Sequence, residues 1–135
     1  MKPFPLTIVT PDGVLLDGEA EELILRTASG EMGVMAGHEN IVCPLGMGRA
    51  VVTTDGQKRA AACIGGMLSV LGGCAHLVAT TFEWQDQIDL KRAEDAEKRA
   101  REELTKAQSE NDKKVAEAKL KRALVRQSVA KMGVK

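Results

Sequence analysis

Few side chains in this 135-residue sequence are of the types that do covalent or metal chemistry, and their spacing suggests neither. The histidines are His38 and His76; the cysteines, Cys43, Cys63 and Cys74, are odd in number with no close spacing. Neither a disulfide framework nor a zinc knuckle follows, and buried structural thiols are the expectation. No nucleophile, base and orienting residue are recognisably spaced, so no catalytic residue and no metal site are expected. His76 falls in a strand of alternating character and reads as structural. The most individual stretch is Ser29 to Asn40, with Gly30, Gly33 and Gly37 close together. Such glycines can cradle a phosphate, but the spacing is neither Gly-x-Gly-x-x-Gly nor a Walker loop, and no Lys-Ser or Lys-Thr follows Gly37. A tight corner is expected instead, with Met32, Val34 and Met35 packed and Glu31, His38 and Glu39 turned to water or a partner.

Charge offers a second kind of chemistry. The formal net charge of zero hides an asymmetry: residues 1–88 hold ten acids and five bases, residues 89–135 nine acids and fourteen bases. Residues 113–135 hold eight bases against Glu117 alone, which suits an acidic partner or polyanion. A nucleic-acid arm is not expected, because Phe4, Phe82 and Trp84 are the only aromatic residues and supply no stacking platform. An adaptor whose basic arm binds an acidic partner or nucleic acid is the alternative function.

These residues must be positioned by two unlike halves that meet between Glu83 and Ala93. All four prolines and twelve of thirteen glycines precede that seam, among Val, Ile, Thr and Leu; Ala, Lys, Glu and Arg follow it. Asp86 stands three residues ahead of Asp89, an N-cap candidate bringing acidic charge to a helix N-terminus. A domain boundary is expected here, giving units of 1–86 and 87–135. Met1 to Pro5 leads straight into a strand-like run with no signal peptide, so the chain is expected to stay in the cytosol. From Ala60 to Ala75 only Ser69 is polar, but the run falls short of the roughly 20 residues a spanning helix needs, and two glycine pairs break it.

Strands are expected at Leu6–Thr10, Val14–Leu16, Ala20–Thr27, Arg49–Thr54, Gln57–Ile64, Met67–Leu71 and Cys74–Thr81. Turns are expected at Pro11-Asp12-Gly13, Asp17-Gly18 and, in a type I′ hairpin, Asp55-Gly56. The pattern describes an all-β sandwich or barrel. Beyond the seam, Leu90, Ala93, Ala96, Ala100, Leu104 and Ala107 form one helical stripe. Ala116, Leu120, Ala123, Leu124 and Ala130 form a second after the turn formers Ser109 to Asp112, an antiparallel helical hairpin. The whole is α+β. Stripes made mostly of alanine bury little apolar area, so the hairpin either docks weakly and opens, chosen by a ligand or partner, or is a fixed charged arm.

Three stretches then stand out in order: Glu21-Glu22-Leu23-Ile24-Leu25 running into Gly30-Glu31-Met32-Gly33-Val34-Met35-Ala36-Gly37-His38; Gly65-Gly66-Met67-Leu68-Ser69-Val70; and Ile88-Asp89-Leu90-Lys91-Arg92-Ala93. On a sandwich-then-hairpin chain they resemble the epsilon-subunit family of bacterial F-type ATP synthases over nearly the whole length. The family pattern is a Gly-Glu-x-Gly-x-x-x-Gly-His loop, a Gly-Gly-x-x-Glu-Val hairpin and an Ile/Leu-Asp-x-x-Arg-Ala motif. Ala36 and Asn40 stand where the family commonly has prolines, and Ser69 where it has an acid.

The resemblance implies a non-catalytic rotor subunit, peripheral on the cytoplasmic side of the bacterial cell membrane and touching the membrane only indirectly. Its sandwich would contact the gamma subunit and the c-subunit ring, with Glu31 and His38 as partner-contacting residues. Its hairpin would extend into the alpha/beta catalytic head and hinder ATP hydrolysis. Lys114, Lys119, Lys121, Arg122 and Arg126 would meet acidic beta-subunit segments, or else form a solvated face. No cofactor is required, but some family members bind ATP at the Ile/Leu-Asp-x-x-Arg-Ala motif. Ile88, Asp89, Arg92 and Ala93, with Glu83 and Arg126, are the corresponding ATP-binding candidates. Arg92 would pair with phosphate, Asp89 would accept from the base or hold Arg92, and Ala93 would leave room for adenine. The simpler alternative is a helix start at Asp89 and nothing more.

Overall fold

The computed structural model describes residues 1–133; Val134 and Lys135, which end the expected hairpin and its basic run, lie outside the described residues. Seven strands come first: β1 (Phe4–Thr10), β2 (Gly13–Ala20), β3 (Glu22–Thr27), β4 (Gly30–Val34), β5 (Ile41–Thr54), β6 (Gln57–Leu71) and β7 (Cys74–Trp84). A single 3-10 turn at Gln85–Gln87 leads to helices α1 (Leu90–Lys106) and α2 (Glu110–Ala130). The strands form one hydrogen-bonded sheet in the order β2-β1-β7-β6-β5-β3-β4, antiparallel except for the β1–β7 pair. The long strands β5 and β6 carry it around on itself, closing a sandwich over a single core. Alternation supplies that core: Phe4, Leu6 and Ile8 from β1, Leu23 and Leu25 from β3, Leu68 and Val70 from β6, and Leu77 and Ala79 from β7 all point inward. Trp84 closes the end nearest the helices, edge-on to Phe82 at 5.0 Å and capped by the Arg59 guanidinium 3.8 Å above its ring.

The strands are longer than their sequence signals. β2 runs through Asp17-Gly18 to Ala20, because its pairing with β1 continues past that would-be turn to Phe4–Ala20. Gly65 and Gly66 do not divide β6. Both have positive φ and bend the strand, and a Cβ on Gly66 would lie 2.0 Å from the Val78 carbonyl oxygen, so glycine lets β6 pass tight against β7. Half of the expected corner is strand β4, paired with β3 from Thr27–Gly30 to Leu23–Val34. Val34 is buried and Met32 packs on the core, as expected, but Met35 is 51% exposed beyond the strand's end. The Asp55-Gly56 turn has φ of 50° and 75°, the left-handed pair a type I′ hairpin requires.

Both helices are capped by side chains, the first at the expected helix start and the second at a residue expected only as a turn former. Asp89 accepts from the Arg92 amide and starts α1; Ser109 accepts from the Asp112 amide and starts α2, so the turn formers at 109–112 begin the second helix. Ala93 and Ala100 of α1 meet Ala116 and Ala123 of α2 at the buried seam. The end of α2 departs from the expected stripe. Leu124 is 40% exposed, while Val129 is buried at 1% on the outer face of the sheet. There Ile24, Val51 and Ala60 are direct neighbours across β3, β5 and β6, and with Ala62, Val129, Val125, Ile88 and Met132 they make a second, smaller apolar cluster. No helix among the described residues is long and apolar enough to cross a membrane.

Candidate functional site

Where the hairpin meets the end of β7, a cleft of about 320 Å³ is lined by Glu83, Gln87, Asp89, Arg92, Ala93, Ala96, Arg99 and Arg126. Each wall has a local cause. Glu83 projects from the last residues of β7; Asp89 is fixed by its capping bond; Arg92 and Ala93 follow in the first turn of α1. Arg99 stands two turns further along α1, and Arg126 reaches in from α2 to donate to Glu83. The hollow continues between the helices as a second space of about 310 Å³ that shares Ala96, Arg99 and Arg126 and adds Glu103, Lys119 and Arg122. Alanines at 93, 96, 100 and 123 keep this seam open, because they place methyl groups where larger side chains would fill it.

The cations outnumber the acids free to answer them. Glu83 is committed to Arg126, Glu103 to Lys119 at 3.1 Å, and one oxygen of Asp89 to the Arg92 amide. Arg92, Arg99 and Arg122 make no ion pair among the described residues, so three guanidiniums face one connected space without carboxylate partners. Planar guanidiniums in that arrangement suit a ligand carrying several phosphate oxygens, and the size falls within the range of small-molecule sites.

Of the six candidates for ATP, the fold therefore brings Glu83, Asp89, Arg92, Ala93 and Arg126 to one cleft. Ile88 faces away from it, into the apolar cluster beneath α2. Sequence reasoning missed Arg99 and Gln87, and it read Arg122 as a partner-contacting cation without placing it at this hollow. The two arginines lie on cleft-facing positions of α1 and α2 and were legible only with the helix pairing in hand. Gln87 accepts from the Trp84 amide at 3.2 Å and lines the cleft.

The partner-contacting candidates are distributed more widely. Glu31 lies on the outer face of β4 in a two-pronged pair with Arg49, both bonds 3.0 Å; the hydrogen bond from Arg49 holds its carboxyl below the usual carboxylate range. His38 is half-buried in the following corner, its Nδ1 2.7 Å from the Glu39 carbonyl oxygen. Lys114 and Lys121 are exposed on α2, whereas Lys119, Arg122 and Arg126 face the hairpin groove. A further surface carries no charge at all. Pro44, Met67 and Val78 are direct neighbours across β5, β6 and β7 on the outer face, with Val42 and Leu71 beside them. Val42, Met67, Leu71 and Val78 are 43–59% exposed.

The family model described as the ATP synthase Delta/Epsilon chain beta-sandwich domain matches residues 3–85, and that of the same chain's long alpha-helix domain matches residues 86–131. The ATP synthase epsilon chain of Bacillus cytotoxicus is 38% identical over 132 residues, covering 98% of this chain and 99% of that one. The epsilon chain of Caldicellulosiruptor bescii is 36% identical over 130 residues, covering 96% and 95%. Among solved structures, a chain of the Euglena gracilis mitochondrial ATP synthase, seen with its c-ring, superposes with a TM-score of 0.84. It is 26% identical and covers 93% of this chain and 80% of its own. A chain from the central stalk and c-ring of the Tetrahymena thermophila enzyme has a TM-score of 0.71 at 9% identity, covering 93% and 95%, a likeness of fold alone.

Proposed function

The chain belongs to the ATP synthase delta/epsilon family, and from that premise we propose that it acts as an anchor and a brake on the central stalk. As an epsilon-type member it is a non-catalytic stalk component of the F-type ATP synthase. Residues 1–86 are the anchor, set against a gamma subunit and a c-ring on the cytoplasmic side of the bacterial membrane; residues 87–135 are the regulatory hairpin. The sandwich encloses its own core, and the open row at Pro44, Met67 and Val78 is the kind of contiguous apolar surface that a stable partner covers. Glu31 and His38 lie on that anchoring unit.

The observation that carries the regulatory reading is how little fastens the hairpin. It is α2, rather than α1, that packs on the sheet, and its apolar attachment is concentrated in the final turns around Val129. A contact of that size leaves docked and extended states within reach of a ligand or partner. Once extended, the hairpin exposes Lys119, Arg122 and Arg126 beside Lys114 and Lys121, a basic face for acidic segments of the catalytic head.

ATP is the regulatory ligand we assign to the cleft. Arg92 and Arg126, joined by Arg99 and Arg122, take the phosphates; Asp89 accepts from the base; Ala93 leaves room for the ring. A nucleotide there would bridge β7, α1 and α2 and so favour the docked state. The test is to add the full chain to a catalytic head lacking it and follow hydrolysis, with calorimetry of ATP binding to the free chain. Slowed hydrolysis and a saturable heat, lost in Arg92→Ala, are expected. Failure to bind the head refutes the stalk assignment, and no heat at millimolar ATP refutes the sensor.

A further inference from the structure

Just after β7, Gln85 ties the sheet to the far end of α2. It is partly buried, and its side-chain amide donates to the carbonyl oxygens of Val129, at 3.0 Å, and Met132, at 2.5 Å. Val129 is in the last turn of α2, where its carbonyl oxygen also accepts from the Met132 amide at 3.1 Å, and Met132 follows the helix end; both lie at the negative end of the helix dipole, which favours a donor there. We propose that Gln85 is the latch residue of the hairpin: a positioning residue that fixes the end of α2 on the sheet and sets the population of the docked state. This rests on the reading that the hairpin docks and releases, and it names what holds the docked form.

The other contacts at this junction cannot serve alone. The Glu83–Arg126 pair has both side chains about a third exposed, so salt screens it, and Arg126 also lines the cleft, where an anion would compete with Glu83 for it. The apolar cluster around Val129 is small and non-directional, and by itself tolerates sliding of α2. Gln85 supplies what both lack: two directional, uncharged bonds, partly sheltered from water and outside the cleft lining. Glu83 is in the last residues of β7 and Gln85 opens the 3-10 turn that follows, and they hold α2 at positions 126 and 129–132, one turn apart. The first contact answers to charge in the cleft. The second does not, so docking persists while the cleft is empty and at high salt.

Hydrogen exchange on the full chain tests this. Gln85→Met keeps the length of the side chain and removes the donor; Gln85→Glu sets a carboxylate against two carbonyl oxygens. Amides of α2 from Val125 onward are expected to exchange about tenfold faster in Gln85→Met, and faster again in Gln85→Glu, with β5 and β6 protected as in the native chain. Unchanged protection of α2 in both variants overturns the proposal. So does a loss spread equally through the sandwich, which would make Gln85 a support of the strand end. Repeating the measurement with millimolar ATP separates this from the nucleotide reading. If ATP slows exchange in no chain, the sensor fails, while the latch is decided by the nucleotide-free comparison.

Discussion

Replacing Val129 by alanine isolates the apolar part of the hairpin's attachment. Val129 is 1% exposed and rests on Val51, Ala60 and Ala62, all nearly fully buried, so the substitution removes two methyl groups from a filled site. At about 0.8 kcal/mol per buried methylene the transfer loss is roughly 1.6 kcal/mol, and a residual cavity that Met132 fills only in part brings it to about 2 kcal/mol. That shifts the docked-to-released ratio about thirtyfold. None of it falls on the sandwich, whose core contains no residue of α2. Limited trypsin cleavage at Arg126 and Lys131, followed by mass, reads the released population when opening is fast relative to cutting. Alanine also favours helix over valine by several tenths of a kcal/mol, which acts against cleavage, so the control is Val115→Ala. Val115 lies on the same helix but is 47% exposed and outside the cluster. Cleavage about thirtyfold faster for Val129→Ala and no faster for Val115→Ala is expected. Equal rates in the two variants refute the claim that this cluster docks the hairpin.

Gly66→Ala brings a Cβ against the Val78 carbonyl oxygen at a φ of +122°, and should destabilise the sandwich by on the order of 3 kcal/mol in urea unfolding, with the binding cleft's residues untouched. Burial pushes the Cys63 thiol up to about 12 and raises that of Cys43, so thiol reagents at mildly alkaline pH should leave Cys63 unlabelled in the native chain, while the unfolded chain takes three labels. Glu97 is held below the ordinary 4.5 by the Gln127 side chain first and Arg101 second, and Glu31 by Arg49. Lowered folded values mean that both contacts contribute fully above about pH 4.5 and are lost as pH falls below it through the folded value. Side-chain NMR titration should therefore place both midpoints under 4.5, and a midpoint at or above it for either removes that contact's contribution.

The architecture was legible because its signals are local. The change of composition at the seam, the Asp55-Gly56 turn, the helix start at Asp89, the turn formers at 109–112 and the alanine stripe each involve neighbouring residues, and each led to the element that forms. Strands were missed or cut short where glycine and proline are tolerated by tertiary context. Gly30 and Gly33 lie inside β4, Pro44, Gly46 and Gly48 inside β5, and Gly65-Gly66 inside β6. Gly46 fits because a Cβ would press to 2.9 Å from the Thr27 carbonyl oxygen, a contact between β5 and β3 that no local pattern announces. The cleft was half legible. Asp89, Arg92 and Ala93 lie in one motif, but Arg99 and Arg122 depend on how α1 pairs with α2, and the Gln85 bonds, 44 and 47 residues apart in sequence, on how α2 ends on the sheet. Val129 displaced Leu124 for the same reason: the end of α2 packs on β5 and β6, so the stripe that faces α1 is not the one that decides burial there.

The most direct test of the anchor-and-brake account is ATP hydrolysis by a catalytic head stripped of this subunit, with either the full chain or one ending at Asp86 added back. The sandwich core lies within residues 4–84, so the shorter chain keeps the whole of it. The account predicts that both chains bind, that the full chain slows hydrolysis and the shorter one does not, and that added salt weakens the inhibition. Two bound chains that slow hydrolysis equally, or not at all, would contradict it.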